Sequence, residues 1–352
     1  MPDGARQGRK EEIMAKVVLI DSKKKQYKAN LHCHSVLSDG ALTPDQLKEA
    51  YKAEGYSVLA ITDHCRPCDH SAMSDESFLL LTGYEAYIRM TGGKYDMYLP
   101  EVHLNLFSKE PHNLSYICYN PSYCKYLPKQ EHTALNKVGS ERPREYSVEY
   151  VNEFIETARE NGYIVAYNHP FWSMESEEQI LSYKGLFSLE IFNTGSYKLN
   201  HLENAEMLYD RMLRMGMHIG CHGADDNHNH HPFGTPDCDS FGGFTVILAD
   251  RLEYSEIIGA LEKNECYAST GPRIYGMTVY DGEDGKHVRV ECSEASAVHL
   301  FFGGKKVFAV YGEDMTEADF LIPEGAKFLR VTVWDKNERS ALTRGYFPEE
   351  WA

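Results

Sequence analysis

The sequence predicts an α/β protein with a parallel sheet, either a barrel or doubly wound, followed by a small antiparallel β-sandwich-like domain. Brief apolar runs recur from about residue 28 to 270, as buried parallel strands require. Helix patterns with recognisable ends lie between them. After Gly271-Pro272 the helices stop, and short alternating strands are separated by Gly-rich turns. The expected domains are therefore 1–272 and 273–352.

The strands are expected at 29–33, 57–62, 78–85, 102–107, 163–168, 188–193, 217–221 and 245–248. The first helix begins at the cap Thr43, with Pro44 at its first position, Gln46 as reciprocal capping partner and Gly55 as its stop. Others are expected over 147–162, 199–215 and 255–264. Residues 108–146 are rich in Tyr, Pro and Asn, with weak periodicity, and form either a packed insertion or a lid. A lid could use Tyr116, Tyr119, Tyr123 and Tyr126 to stack on an aromatic group. In the C-terminal part the strands are expected at 287–292, 297–302, 306–311 and 328–334.

The 352 residues carry 36 Lys+Arg against 53 Asp+Glu, a net charge of −17. Phosphate backbones reward basic surfaces, so nucleic acid is an unlikely main partner. No apolar run approaches the roughly 20 residues of a membrane span. Val17 to Ile20 is too short for a signal-peptide core, which makes the cytoplasm the expected compartment. The nine cysteines are scattered, and most are expected to be reduced. Cys65-Arg-Pro-Cys68 has redox spacing but reads as incidental, and Cys33 reads as core.

Histidines and carboxylates gather at the C-terminal ends of the expected strands, the edge on which α/β folds build their sites. His32-Cys33-His34 closes the first strand, and alternate side chains of extended backbone share a face. Asp39 follows in Ser38-Asp39-Gly40. His64 closes the second strand, Glu85 the third, His103 lies on the fourth, and His169 closes the fifth. Asp226 and His228 repeat the i, i+2 spacing; Asp225 does not. Each motif is weak alone, and the recurrence carries the reading. Nine candidate ligands exceed what one ion needs, implying two or three divalent metals. Imidazole and carboxylate without thiolate suit Zn, Mn or Fe.

Asp63 and Arg66 are the candidate catalytic residues. Asp63, beside His64, can orient a ligand ring, and Asn168 can do the same; both serve equally as turn caps. Arg66 offers a planar fork to phosphate oxygens, with Arg142 and Arg144 as further candidates. His70, His222 and His230 lie near the motif loops, but none is marked as a leaving-group acid.

The pieces together resemble the PHP superfamily, named for polymerase and histidinol phosphatase domains. They are His32-Cys-His-Ser-Val-Leu-Ser-Asp-Gly40, Ile61-Thr-Asp-His64, Gly83-Tyr-Glu85, Val102-His103-Leu104, Asn168-His-Pro170 and Asp226-Asn-His228. They follow the family's order over residues 30–228. Tyr167-Asn168 stands where a small residue is commoner, and 108–146 lies outside the motifs. The resemblance implies a distorted (β/α)7 barrel with a trinuclear cleft. By that analogy His32, His34, Glu85 and Asp226 hold one metal, and Glu85 bridges to a second held by His103 and His169. Asp39, His64 and His228 hold the third. Tyr267-Ala-Ser-Thr-Gly-Pro272 and the strands after it resemble members with a C-terminal β-domain.

The expected activity is hydrolysis of a small-molecule phosphate ester by metal-activated hydroxide. Clustered cations offset the charge on phosphoryl oxygens in the transition state. A multinuclear hydrolase of a C–N or C–O bond, a PHP-type nuclease and a non-catalytic metal module are the alternatives.

Overall fold

The computed structural model describes residues 16–202 and 204–352. The chain begins with β1 (Lys16–Ile20), β2 (Lys25–Asn30), α1 (Pro44–Ala53), β3 (Val58–Ala60), β4 (Leu79–Leu81), β5 (Gly83–Arg89) and β6 (Glu101–Ser108). Residues 108–146 hold the two-residue strands β7 (Tyr116–Ile117) and β8 (Lys137–Val138), with two short 3₁₀ turns between them. Next come α2 (Val148–Glu160), β9 (Tyr163–Tyr167), α3 (Glu177–Ile180), β10 (Ser188–Asn193), α4 (Thr194–Asn200), α5 (Glu206–Arg214), β11 (Gly220–Ala224), β12 (Phe244–Ala249), α6 (Tyr254–Glu262) and β13 (Cys266–Ser269). The chain finishes with β14 (Ile274–Gly282), β15 (Gly285–Phe301), β16 (Phe308–Leu321), β17 (Arg330–Trp334), β18 (Ser340–Thr343) and α7 (Pro348–Trp351).

Local chemistry explains the helix ends. Thr43 and Gln46 form the expected reciprocal cap of α1, and Gly55 takes a positive φ of 74° beyond its end. Ser147 caps α2, which buries Tyr150, Val151, Phe154, Ile155 and Ala158 along one stripe. The single helix expected over 199–215 is two helices, α4 and α5. His201 caps α4 in the left-handed conformation and ends it. The strand expected over 217–221 is instead β11, displaced toward the site.

The strands form two large open sheets and one small pair. One sheet has the order β1-β14-β15-β17-β18-β13-β12-β2-β3-β4, with β16 on β15; the other runs β11-β10-β9-β6-β5. The chain passes between them at Thr82. β2-β3-β4 and β9-β10-β11 are parallel. However, β5–β6, β6–β9 and β2–β12 are antiparallel, which corrects the expectation of a parallel sheet. Residues 90–100 join β5 to β6 without a crossover helix, and a link so short permits only an antiparallel neighbour. The architecture is thus mixed α/β with many strands and few helices, and neither sheet closes on itself. The strands expected at 287–292 and 297–302 are one strand, β15, whose register shifts between Glu291 and Ala297 accommodate the interruption.

Apolar side chains pack on both faces of these sheets. Ala29, Val58, Ala60, Leu81, Phe107, Ile164 and Ile247 form one cluster that joins the two large sheets. A second gathers α2 and α5 against β6, β9 and β10, and includes Phe328, Leu342 and Phe347 from the C-terminal strands and helix. Arg330 is fully buried beside it, 2.9 Å from Glu206 at the start of α5, with its guanidinium over the Phe301 ring. Removing Glu206 leaves this buried guanidinium only the more distant carboxylate of Asp210, at 3.7 Å. Glu206→Ala is therefore expected to destabilise the fold by about 3 kcal/mol, read as a lowered denaturant midpoint.

Candidate metal centre

The first pair of imidazoles comes from extended backbone just past β2. His32 and His34 are both fully buried, and their Nε2 atoms face one another at 3.2 Å. Asp226, beyond β11, places Oδ1 3.1 Å from His32 Nε2 and 3.0 Å from His34 Nε2. Glu85 points inward from β5. Its Oε1 lies 2.9 Å from His103 Nδ1, 3.2 Å from His32 Nε2 and 3.4 Å from His169 Nε2. Its Oε2 lies 2.8 Å from His64 Nδ1 and 3.5 Å from His34 Nε2. Asp39 completes the set from its turn, with Oδ1 3.5 Å from His228 Nε2 and Oδ2 3.6 Å from His64 Nε2.

The structure thus brings all nine candidate ligands together. They fall into four overlapping groups, each able to hold a cation: His34, Asp39, His64 and His228; His32, His34 and Asp226; His32, Glu85 and His169; and His64, Glu85 and His103. Geometry puts His34 in the Asp39 group as well as beside Asp226, where the resemblance gave it one partner set. Asp39 Oδ1 is buried without a hydrogen bond, and His64 Nδ1 and Glu85 Oε2, buried and 2.8 Å apart, make no well-directed hydrogen bond elsewhere. Buried polar atoms normally find partners, so inward-facing donors crowded in this way fit a cation. His169 and Asp226 both take positive φ, 24° and 53°. Such strain persists where the surroundings over-determine it, typically at functional sites.

The cluster's electrostatics follow from burial and charge. Burial raises the Glu85 carboxyl, but the imidazoles of His103, His32 and His64 outweigh it and hold it well below the usual range. Asp226 behaves likewise: burial is outweighed by His32 and His34. Burial, helped by His228 and His64, pushes His34 down to about 4. For His103 burial acts downward, yet Glu85 and Glu101 lift it to about 10.

Nearby residues brace this set. Glu190 on β10 is fully buried, 3.0 Å from His32 Nδ1, and accepts from the His169 amide at 2.9 Å and Asn193 Nδ2 at 3.0 Å. Asn193 also donates to Asp226 Oδ2 at 3.1 Å. Glu101 lies 2.8 Å from His103 Nε2, and Asp239 accepts from the His228 amide at 2.7 Å. The sequence reading missed all three acids. The signal for Glu190 was a carboxylate inside an otherwise apolar strand; for Glu101 it was the i, i+2 relation to His103. Asn168 donates to Glu85 Oε1 at 2.8 Å. Asp225 turns away to Tyr51, Thr194 and the Phe241 and Gly242 amides, and burial raises it to about 6.

A cavity of about 380 Å³ opens on the cluster. Beside seven of the nine candidate ligands it is lined by Tyr87, Arg89, Glu101, Lys125, Tyr126, Trp172 and residues of α4. The two candidate catalytic residues are placed outside it. Asp63 accepts from the Ser35 amide and hydroxyl at 2.8 and 2.6 Å and from Ser38 Oγ at 2.6 Å, bracing the loop between His34 and Asp39. Arg66 donates to the Leu37 and Tyr126 carbonyls at 3.1 and 3.0 Å. Arg142 pairs with Glu153, and Arg144 donates to the Tyr87 carbonyl, so neither lines the cavity. His70, His222 and His230 also stand outside the lining. Cys33 is core as expected, and all nine cysteines are free thiols. No helix among the described residues is long and apolar enough to cross a membrane.

Comparison with known proteins follows the same outline. Residues 30–191, just under half of the chain, match the family model of the PHP domain. A 37-residue stretch, 10% of this chain, is 51% identical to the 5'-3' exoribonuclease of Haemophilus influenzae but spans only 14% of that protein. Among solved structures, a two-domain protein from Bacteroides vulgatus containing a predicted PHP-like metal-dependent phosphoesterase is similar over 97% of this chain and 99% of its own. Its identity is 14% and its TM-score 0.43. An amidohydrolase from Chromobacterium violaceum with bound sulfate and no metal is similar over 60% of this chain and 93% of its own, at 17% identity and a TM-score of 0.36. Seven of the nine clustered residues, His32 to His169, lie inside the stretch matched by the family model, and Asp226 and His228 follow it. Residues 30–191 of this chain are thus similar to the PHP domain, and the histidine and carboxylate motifs described above lie in that stretch or shortly after it.

Proposed function

We propose that the protein hydrolyses a small-molecule phosphate ester, using two or three divalent transition metals, Zn, Mn or Fe, held by the nine clustered side chains. The observation that carries this is the convergence of buried donors from six separate chain segments around one cavity. Cations held there supply Lewis-acid charge to the phosphoryl oxygens and make water a better nucleophile at neutral pH. The chain's own residues do the rest. Arg89 and Lys125 in the cavity wall meet phosphate oxygens further out. Trp172, whose ring centre lies 4.9 Å from that of His169, shields the inner cluster from water together with Tyr87. Glu190 fixes the His32 ring through Nδ1, leaving Nε2 to face the site. Asp63 and Arg66 act as positioning residues for the Asp39 loop.

A panel of phosphate esters, oligonucleotides, amides and lactones tests this reading. Phosphate release from small esters is expected. Amide or lactone turnover without phosphate release, or efficient trimming of oligonucleotides alone, would overturn it. Exhaustive chelation is expected to abolish turnover and lower Tm by about 5 °C or more, since a ligand at about a hundred times its Kd stabilises by about 2.7 kcal/mol. Added Mn, Zn or Fe should restore both.

A further inference from the structure

The 108–146 segment lies outside the motifs that carry the resemblance, yet it reaches the cluster at one point. Tyr126 donates to Asp39 Oδ2 at 2.9 Å, and its ring stacks on His64 with centroids 6.2 Å apart and planes 20° from parallel. Asp39 is the single carboxylate in the group with His34, His64 and His228. It sits on a turn, and its side chain is the most exposed of that group, at 34% against 0–28% for the three imidazoles. A carboxylate so placed rotates freely unless something holds one oxygen. Tyr126 holds Oδ2, which leaves Oδ1 buried, without a hydrogen bond, and facing His34 at 3.8 Å and His228 at 3.5 Å.

The segment is itself tied to the Asp39 loop. Arg66 Nη1 bridges the carbonyls of Tyr126 and Leu37, so one guanidinium joins the backbone carrying the tyrosine to the backbone leading to the aspartate. Beneath it, Tyr116, Tyr119, Tyr123, Cys124 and Leu127 pack as a small core, which gives Tyr126 a fixed base.

We propose that Tyr126 is a positioning residue that builds the outermost cation site: by holding Asp39 Oδ2, a residue of no other donor group, it sets the affinity of the His34–Asp39–His64–His228 group, and leaves the Glu85 and Asp226 groups unchanged. The inference rests on the metal reading given above. Hydrogen-bonded partners behind metal ligands are worth about 10–100-fold in affinity. The Tyr126 hydroxyl makes no hydrogen bond to His32, His64, Glu85, His103, His169 or Asp226, so the effect of removing it is confined to the ion that Asp39 would hold.

The test is stepwise Mn titration of demetallated full-length protein, with bound metal counted after gel filtration, for wild type, Tyr126→Phe and Arg66→Met. Tyr126→Phe keeps the stacked ring and removes only the hydroxyl, so folding is preserved; near-UV circular dichroism checks this. The expected result is that the weakest equivalent of wild type binds about 10–100-fold more weakly in Tyr126→Phe, the tighter equivalents being unchanged. Arg66→Met should give the same selective loss, and turnover lost at limiting Mn should return at high Mn. An unchanged weakest equivalent in Tyr126→Phe, or an equal loss at every equivalent, overturns the inference while leaving the metal reading standing. Wild-type protein that takes up no Mn, Zn or Fe overturns both.

Discussion

Glu85→Ala is expected to lower kcat/KM by about a thousandfold or more, equivalent to about 4 kcal/mol of transition-state stabilisation. The size follows from its place. Glu85 belongs to two of the four donor groups, and its two oxygens lie within 3.5 Å of five imidazoles, those of His32, His34, His64, His103 and His169. No other residue of the site reaches as many. Glu85→Gln keeps the shape and removes the charge, so it separates loss of ligation from loss of packing; both variants should fall together. Either should also carry fewer metal ions per chain. Near-wild-type turnover in Glu85→Gln would remove the carboxylate from the mechanism.

Deletion of residues 273–352 is expected to leave no cooperatively folded remnant, although the sequence suggests two modules divided there. The C-terminal strands are continuous with the sheet that carries β2 and β3. β13 pairs with β18 over Tyr267–Thr343 to Ser269–Ala341, and β1, at the other end of the chain, pairs with β14. Removing them opens two strand edges and takes Phe328, Leu342 and Phe347 from the core around α2 and α5. It also strands Glu206 without Arg330. Loss of a sharp thermal transition and of near-UV signal is the expected outcome. A soluble 1–272 fragment that unfolds cooperatively would show instead that the two parts are separable.

The clustering of histidines and carboxylates was legible because the pattern is local. His32 and His34, or Asp226 and His228, need only two-residue spacing at a strand end to share a face, and that pattern survives uncertainty about where each strand begins. His32 in fact lies two residues beyond β2. What failed was non-local. Nothing in residues 90–100 announced that β6 would return antiparallel to β5, and no periodicity linked the N-terminal Val17-Val18-Leu19 to residues near 278. Arg89 was readable in principle, since Glu85, Tyr87 and Arg89 alternate onto one face of β5. Lys125 and Tyr126 were not, because an irregular segment fixes no direction until its own small core is packed. Arg66 misled for a related reason. Its position after His64 suggested substrate, while the fold turns its guanidinium onto two backbone carbonyls.

The most direct measurement is an anomalous-scattering experiment on crystals of protein loaded with Mn or Zn. Two or three anomalous peaks are expected, each within bonding distance of side chains of one donor group, with at least one beside a Glu85 oxygen. Metal-loaded crystals in which the nine side chains are ordered as described and no peak stands among them would contradict the account.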